Sequence, residues 1–479
     1  MIAAGRSLLQ ARPLLVCCLL ALALRLPLAI WGQNFISPDE IAQYLGEAHR
    51  LVYGQGPVPW EYQVGLRSWL LPGLLAGPME LAKLAQLSPY AGIVLVRILL
   101  CFASLSLVWA GFVWGRMAHG PRGGLIAGGL AALWPDLWLM APHPLEEALA
   151  AYCLVPAACL ANLKHSALHV LIGGFLLGLS FALREPLAPA IAIIGIALCG
   201  RSVRGWALGL GAAAFPVLLV GGLDWLSWGQ PFRSFWLNIA LNLALGRGAS
   251  GLFSPSPPLL YFAGLALDWL WTLPLLLWLA WRGARLAPAA GLAALALILE
   301  HSLISHKEFR YIFPALALLV PLAGIGLAGL RRARSVFLVT LLLVSGPLRS
   351  PFLSQSLTLS RHAFALYHAL AARHPRLVAV EYADTRFMPL APLFGATAFT
   401  TLQGAAQADA IVAAASSPNI PPGFTRLLCV TRDLGAAGPA NPRICAWTRT
   451  ESALPVSGDV PPLQLAFPAA AQPFRIRPP

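Results

Sequence analysis

Apolar stretches of roughly 20 residues recur between positions 14 and 344, broken only by short polar or basic connections, and roughly 20 apolar residues are what an α-helix needs to cross a bilayer. In lipid every backbone N–H and C=O must be satisfied within the segment, so such a chain is confined to helices that span and pack. Charged residues are 11% of the sequence, against roughly 25% in a soluble globular domain, and a water-soluble fold is excluded. The formal net charge of +14 does not point to nucleic acid, because the Lys and Arg residues sit in short clusters between apolar spans. They read as topology signals beside membrane lipids.

The basic clusters Arg6/Arg12, Arg116/Arg122, Lys164, Arg201/Arg204, Arg282/Arg285 and Arg331/Arg332/Arg334 have no acidic residue among them and mark the inner loops. The outer connections are then 31–67, 142–147, 184–186, 224–258 and 302–310. This pattern gives about 11 transmembrane helices, the first of them uncleaved, provided that 68–89 does not cross. That segment carries Glu80, Lys83, Pro72 and Pro78 and is expected to be interfacial or re-entrant, split at its prolines. The expected fold is an all-α polytopic membrane domain over 1–350, with the long outer loop 31–67, and a small mixed α/β outer domain over 351–479. In the latter, 377–380 and 427–430 look like strands, and Cys429 and Cys445 are either a disulfide or two free thiols.

The residues able to do chemistry gather in two places. In the first outer loop, Ser37-Pro38-Asp39-Glu40 is followed by Gln43 and Glu47, then Gly54, Trp60-Glu61-Tyr62 and Arg67. A helix starting after Pro38 puts Glu40, Gln43 and Glu47 on one face, with Asp39 in its first turn. The second cluster, His306-Lys307-Glu308-Phe309-Arg310, mixes both signs of charge at the junction of two apolar helices, more than anchoring requires. Sugar transfer from a phospholipid donor needs a carboxylate to deprotonate the acceptor hydroxyl and cations to hold the departing phosphate. Asp39 can be that base, and His306, Lys307 and Arg310 can hold the phosphate. His143, Glu146 and Glu147 either line a sugar site or simply complement a helix dipole; Arg184 is either a phosphate contact or half of an ion pair.

These motifs resemble the GT-C-fold mannosyltransferases of glycosyltransferase family 22, the family of the GPI-anchor and dolichol-linked-oligosaccharide mannosyltransferases. The family's first loop, His-Pro-Asp-Glu, then Gln, Glu, Gly, Thr-Trp-Glu-Tyr/Phe and Arg-Ser before Pro, falls on Pro38, Asp39, Glu40, Gln43, Glu47, Gly54, Trp60, Glu61, Tyr62, Arg67, Ser68 and Pro72, with Ser37 and Pro59 departing from it. Its His-Lys-Glu-x-Arg-Phe is similar to His306, Lys307, Glu308, Arg310 and Tyr311, and Arg25 resembles its first-helix arginine. The resemblance implies an inverting, metal-independent mannosyl transfer, without a cofactor, from a polyprenyl-phosphate-linked sugar donor to a lipid or glycan acceptor. It implies Asp39 as base, with Glu40 as the alternative because neighbouring carboxylates in a partly dry pocket split their proton affinities. Donor contacts fall to His306, Lys307, Glu308, Arg310 and Arg67, and further pocket positions to Gln43, Glu47, Trp60, Glu61, Tyr62, His143, Glu146 and Arg184.

The competing reading is a transporter or flippase of a lipid-linked sugar, which would place ionisable groups deep within spans and often show repeat symmetry. Helix centres here hold few charges, Arg97, Asp268 and Glu300 among them. Ala/Leu-rich helices and the preference for Arg over Lys suggest a bacterial inner membrane with a periplasmic active site; in a eukaryote the same face is the lumen of the endoplasmic reticulum.

Overall fold

The computed structural model describes residues 12–163, 166–246, 256–304, 306–381, 390–417, 420–431, 443–450 and 463–465. Arg6, Lys164 and positions 253–255 lie outside the described residues. The chain divides into two compact units, one of Met1–Ile30, Arg97–Phe235 and Ile239–Ser354, the other of Trp31–Val96, Trp236–Asn238 and Gln355–Pro479.

The first unit is a helical membrane bundle. Among the described residues, Pro13–Trp31, Pro89–Leu133, Val203–Trp228 and Phe309–Ala328 are each long and apolar enough to cross a membrane, and the bent pair Leu260–Trp269 with Thr272–Ala284 passes as one. Ala167–Leu183, Glu185–Cys199 and Pro288–Leu303 are apolar but shorter. The 89–133 span is two arms, because His119 and Gly120 leave helical geometry and Pro121 restarts the helix. A Cβ placed on Gly115 would sit 2.2 Å from the Gly123 carbonyl oxygen, so the arms fold back on each other at the Arg116/Arg122 cluster. Glu146–Ala161 and Ala333–Leu348 add further apolar helices among the described residues, a set roughly consistent with the multi-pass pattern of the charge clusters.

Phe313–Ala328 is apolar on every side and is buried along most of its length, as a central helix must be. It packs on the hairpin, on Thr272–Ala284, on Pro288–Leu303 and on Glu146–Ala161. Lipid-facing bundles gain little from burying apolar side chains against one another, so small residues that admit close backbone approach carry the packing. Gly174 and Gly178, one turn apart on Ala167–Leu183, meet Gly209 and Ala213 of Val203–Trp228, where added Cβ atoms would come to 2.4 and 2.2 Å of carbonyl oxygens.

In the second unit, residues of the long loop and the C-terminal region fold together. The C-terminal part is a five-stranded mixed sheet of β1 (Leu377–Val380), β2 (Ala398–Thr401), β3 (Ala410–Ala414), β4 (Phe424–Thr431) and β5 (Arg443–Arg449), in the order β2-β1-β3-β5-β4. β1 runs parallel to β2 and β3, and β5 antiparallel to β3 and β4. The helix Arg361–Ala371 covers β4 and β5. Cys429 and Cys445, opposite one another on β4 and β5, form a disulfide, which settles the choice between pair and free thiols.

Leu70–Leu84 is one continuous helix, not a segment split by proline: Pro72 lies in its first turn, where no N–H is missed, and Pro78 is accommodated inside. Its 15 residues reach about 22 Å, short of the roughly 30 Å hydrocarbon core. Leu71, Leu75, Met79 and Ala82 are buried while Leu74, Leu81 and Leu84 are exposed. Lys83 pairs with Glu80 at 3.7 Å and donates to the Val52 carbonyl at 2.5 Å, tying this helix to the loop.

Candidate functional site

In the second unit the first cluster is built from a helix start. Ser37 is followed by Pro38, and the Ser37 hydroxyl accepts from the Asp39 N–H at 3.2 Å, the geometry of an N-cap with proline at the first helical position. Glu40 turns back, its Oε2 accepting from the Ile36 N–H at 3.1 Å. Ser-x-x-Glu is the sequence signature of a capping box, and here the glutamate serves one residue further back. Glu40 is fully buried, whereas Asp39 beside it is half-buried. Of the two carboxylates offered by sequence, Glu40 serves the helix start and is enclosed, whereas Asp39 retains partial exposure.

The helix then departs from the expected α form. Glu40–Gly46 is wound as a π-helix before Glu47–Tyr53 continues as α. A Cβ on residue 46 would stand 2.7 Å from the Ile41 carbonyl oxygen, so the wider turn needs Gly46. Short π segments are frequent at functional sites. The consequence is that the three polar residues do not act as one face. Gln43 donates through Nε2 to Asp39 Oδ1 at 2.8 Å and to Glu61 Oε1 at 2.9 Å. Glu47 instead pairs with Arg50, at 2.6 Å, a residue the sequence pattern did not single out.

Glu61 comes from a second short helix, Trp60–Val64, entered at Pro59 and ended by Gly65 with φ 75°. Val58 just before it exchanges backbone hydrogen bonds with Leu463 (2.8 Å) and Leu465 (2.9 Å), and Gln63 donates to the Leu465 carbonyl. Burial first, then the nearby Asp39 charge, pushes the Glu61 carboxyl up to about 8 despite Arg67 pulling it down. Burial likewise raises Glu47 to about 7 against the opposing Arg50. Trp60 is half-buried; Tyr62 is buried, donates to the Ser68 carbonyl at 3.2 Å and meets the Trp69 ring edge-on at 4.8 Å. Arg67 thus faces Glu61 electrostatically, beside the carboxylates.

In the first unit the second cluster assembles around Glu308, just before Phe313–Ala328. Glu308 accepts from Arg310 Nε at 2.7 Å, from the Tyr311 hydroxyl at 2.8 Å and lies 3.1 Å from His306 Nε2. Burial alone would raise its carboxyl, but the His306 and Arg310 contacts hold it well below the usual carboxylate range. The start of Glu146–Ala161 and the end of Ala167–Leu183 converge here. Arg184 reaches Glu146 at 3.8 Å and Glu147 at 3.3 Å, and Arg310 reaches Glu147 at 3.9 Å. The Arg184 and Arg310 guanidinium groups lie 4.8 and 5.3 Å from the Tyr311 ring centre. Arg184 therefore pairs across the bundle with Glu146 and Glu147. Lys307 is buried, its Nζ donating to the carbonyls of Ser256 and Ile304, and burial lowers its proton affinity. His143 is buried on the turn that leads into Glu146–Ala161.

Arg25 is fully buried in the first helix, where it donates to Ser104 Oγ at 2.8 Å, a packing role. The sequence reading also passed over Trp134 and Asp136: with Trp269, they form a buried knot in which both indole N–H groups donate to Asp136, at 2.7 and 3.0 Å. The signal for it was a lone carboxylate amid apolar residues.

Residues 16–376 match the model of the Alg9-like mannosyltransferase family. The chain belongs to this family. It is 30% identical over 314 residues to GPI mannosyltransferase 3 of Yarrowia lipolytica, an alignment covering 62% of this chain and 59% of that protein. It is 39% identical over 97 residues to GPI mannosyltransferase 3 of Drosophila melanogaster, covering 20% of this chain and 17% of that one. The chain thus spans about three-fifths or less of the length of these relatives. Among solved structures it is similar to ArnT from Cupriavidus metallidurans bound to undecaprenyl phosphate, with TM-score 0.57 and 13% identity over 93% of this chain and 98% of that one. That likeness establishes a GT-C-like fold for this multi-pass membrane chain.

Proposed function

We propose that this chain is an inverting mannosyltransferase that moves mannose from a polyprenyl-phosphate-linked donor to a hydroxyl of a lipid- or glycan-type acceptor. The observation that carries the reading is Asp39: half-open at a capped helix start, with Oδ1 oriented by Gln43. Asp39 takes the proton from the acceptor hydroxyl, whose oxygen bonds to the anomeric carbon from the face opposite the donor oxygen. The bond from that carbon to the donor oxygen breaks, and polyprenyl phosphate leaves with the electron pair. Arg310 and Arg184, each close to Glu147, with His306 and Lys307, are the cations for the leaving phosphate. The names of the Yarrowia and Drosophila relatives support mannose as the sugar, and the undecaprenyl phosphate in the ArnT structure supports a polyprenyl phosphate donor.

The active site faces the oxidising side of the membrane, the periplasm in a bacterium and the lumen in a eukaryote. The Cys429–Cys445 disulfide favours that placement for the second unit, to which Asp39 belongs. The test is transfer by the purified chain from labelled mannosyl-phosphoryl-polyprenol to a lipid and glycan panel, with Asp39→Asn and Arg310→Ala alongside. Loss of about a hundredfold or more is expected for Asp39→Asn. Unchanged turnover in a folded Asp39→Asn protein refutes the base assignment, and no transfer by the wild type refutes the donor.

A further inference from the structure

Two carboxyl groups in the second unit share one amide. Gln43 has a single NH₂ group, and its two hydrogens are committed to Asp39 Oδ1 at 2.8 Å and Glu61 Oε1 at 2.9 Å. Gln43 is 3% exposed, and its own Oε1 is buried without a hydrogen-bond partner. Turning the amide over would point that oxygen at both carboxyls, so the donor orientation is the one electrostatics selects. A neutral amide cannot compensate two negative charges held against it, and the Arg67 guanidinium beside Glu61 offsets only part of the cost of burying both, so the more buried carboxyl is favoured to keep its proton. Asp39 is half-buried, whereas Glu61 is 9% exposed and inside the Trp60–Val64 helix.

We infer that Glu61 works as a neutral carboxylic acid, a positioning residue that fixes Gln43 and through it Asp39. The inference rests on Asp39 being the base. The charged groups facing Glu61 are Asp39 and, more weakly, Glu47, which raise its proton affinity, and Arg67, which lowers it; Glu47 is itself held by Arg50. The net push, to about 8, keeps the acid form at neutral pH. Above that range Glu61 ionises beside Asp39, and a second negative charge opposes the anionic donor phosphate.

The experiment uses the full chain in detergent, comparing wild type with Glu61→Gln, Glu61→Ala and Asp39→Asn. Glu61→Gln keeps a neutral acceptor of the same shape and is expected to retain transfer within about threefold, while Glu61→Ala frees Gln43 and falls by about a hundredfold, the cost of a misplaced reacting group. The alkaline limb of the wild-type profile, near pH 8, is absent from Glu61→Gln. Infrared difference spectra give a readout independent of activity: at pH 7 the wild type shows a carboxylic-acid carbonyl band that Glu61→Gln lacks. Collapse of Glu61→Gln to the level of Asp39→Asn, or absence of that band, overturns the inference. An active Asp39→Asn overturns the base assignment instead, and the band then still decides whether Glu61 is an acid.

Discussion

Replacing Glu147 by alanine removes the carboxylate shared by two arginines, and the structure bounds what that costs. Its oxygens lie 3.3 Å from Arg184 and 3.9 Å from Arg310, and the side chain is essentially unexposed. At an effective dielectric of about 20, pairs at these distances attract by about 4–5 kcal/mol each before desolvation is counted. Desolvation offsets most of this gross attraction, and cutting a buried pair by deleting one partner typically costs about 3–5 kcal/mol, because the other charge stays buried. Here neither Glu147 oxygen is in hydrogen-bonding geometry, Arg184 keeps Glu146 at 3.8 Å, and Arg310 keeps Glu308 at 2.7 Å. The lower end follows, about 3 kcal/mol, read as a shift in dodecyl sulfate unfolding from mixed micelles. Glu147→Gln, which keeps the shape and drops the charge, should lose nearly as much. Because the two arginines then lose the carboxylate they share, inorganic phosphate should restore stability to both variants and add little to the wild type. A loss under about 1 kcal/mol in Glu147→Ala, the value of a solvent-screened pair, or equal phosphate effects on all three proteins, would refute the reasoning.

The remaining predictions concern both units. Gly178→Leu places a side chain where a Cβ alone would reach 2.2 Å from the Ala213 carbonyl oxygen; the two helices must part, lowering bundle stability by about 3 kcal/mol or more in the same assay. Replacing both Cys429 and Cys445 by serine opens a connection of 16 residues and should lower the stability of the second unit by about 3 kcal/mol in the loop-entropy account, measured by proteolysis of the sheet region. The folded pKa values of Glu61 (about 8) and Glu47 (about 7) stand above the ordinary 4.5, so the native state keeps protons that the unfolded chain releases. Stability is then fullest below about pH 4.5 for these two groups and declines as pH rises through their folded values; Glu61→Gln should flatten that decline, and an unchanged slope would show that Glu61 does not contribute.

The parts of the fold that sequence disclosed are those written in solvation. Apolar length and clusters of arginine locate the helical segments because lipid leaves few alternatives, and the break at His119–Gly120 lies between Arg116 and Arg122. The strands β1 and β4 were visible as short apolar runs, whereas β2, β3 and β5 were not read from sequence although they carry Thr, Ile, Val, Phe and Trp, because such short segments become strands only once they are paired in the sheet. At the site, residue types were readable and roles were not. A three-and-four spacing assigned Glu40, Gln43 and Glu47 to one helical face, but Gly46 admits a π turn, and the three side chains take separate partners. Ser37-x-x-Glu40 was a legible capping signal, and in the structure Glu40 accepts from the backbone at the helix start.

What no one-dimensional pattern holds is the pairing of distant carboxyls, such as Glu61 with Asp39 through Gln43, and of Arg184 with Glu147. The two clusters treat their buried acids in opposite ways for one physical reason. Glu308 and Glu147 lie against guanidinium groups, and at Glu308 the His306 and Arg310 contacts hold the carboxyl below the usual range against burial. Glu61 lies against an amide and Asp39, and burial and that neighbouring carboxyl raise its proton affinity despite Arg67. The proposed transfer asks for both chemistries, cations to compensate a departing phosphate and a carboxylate to take the acceptor proton, and the two clusters supply residues of each kind.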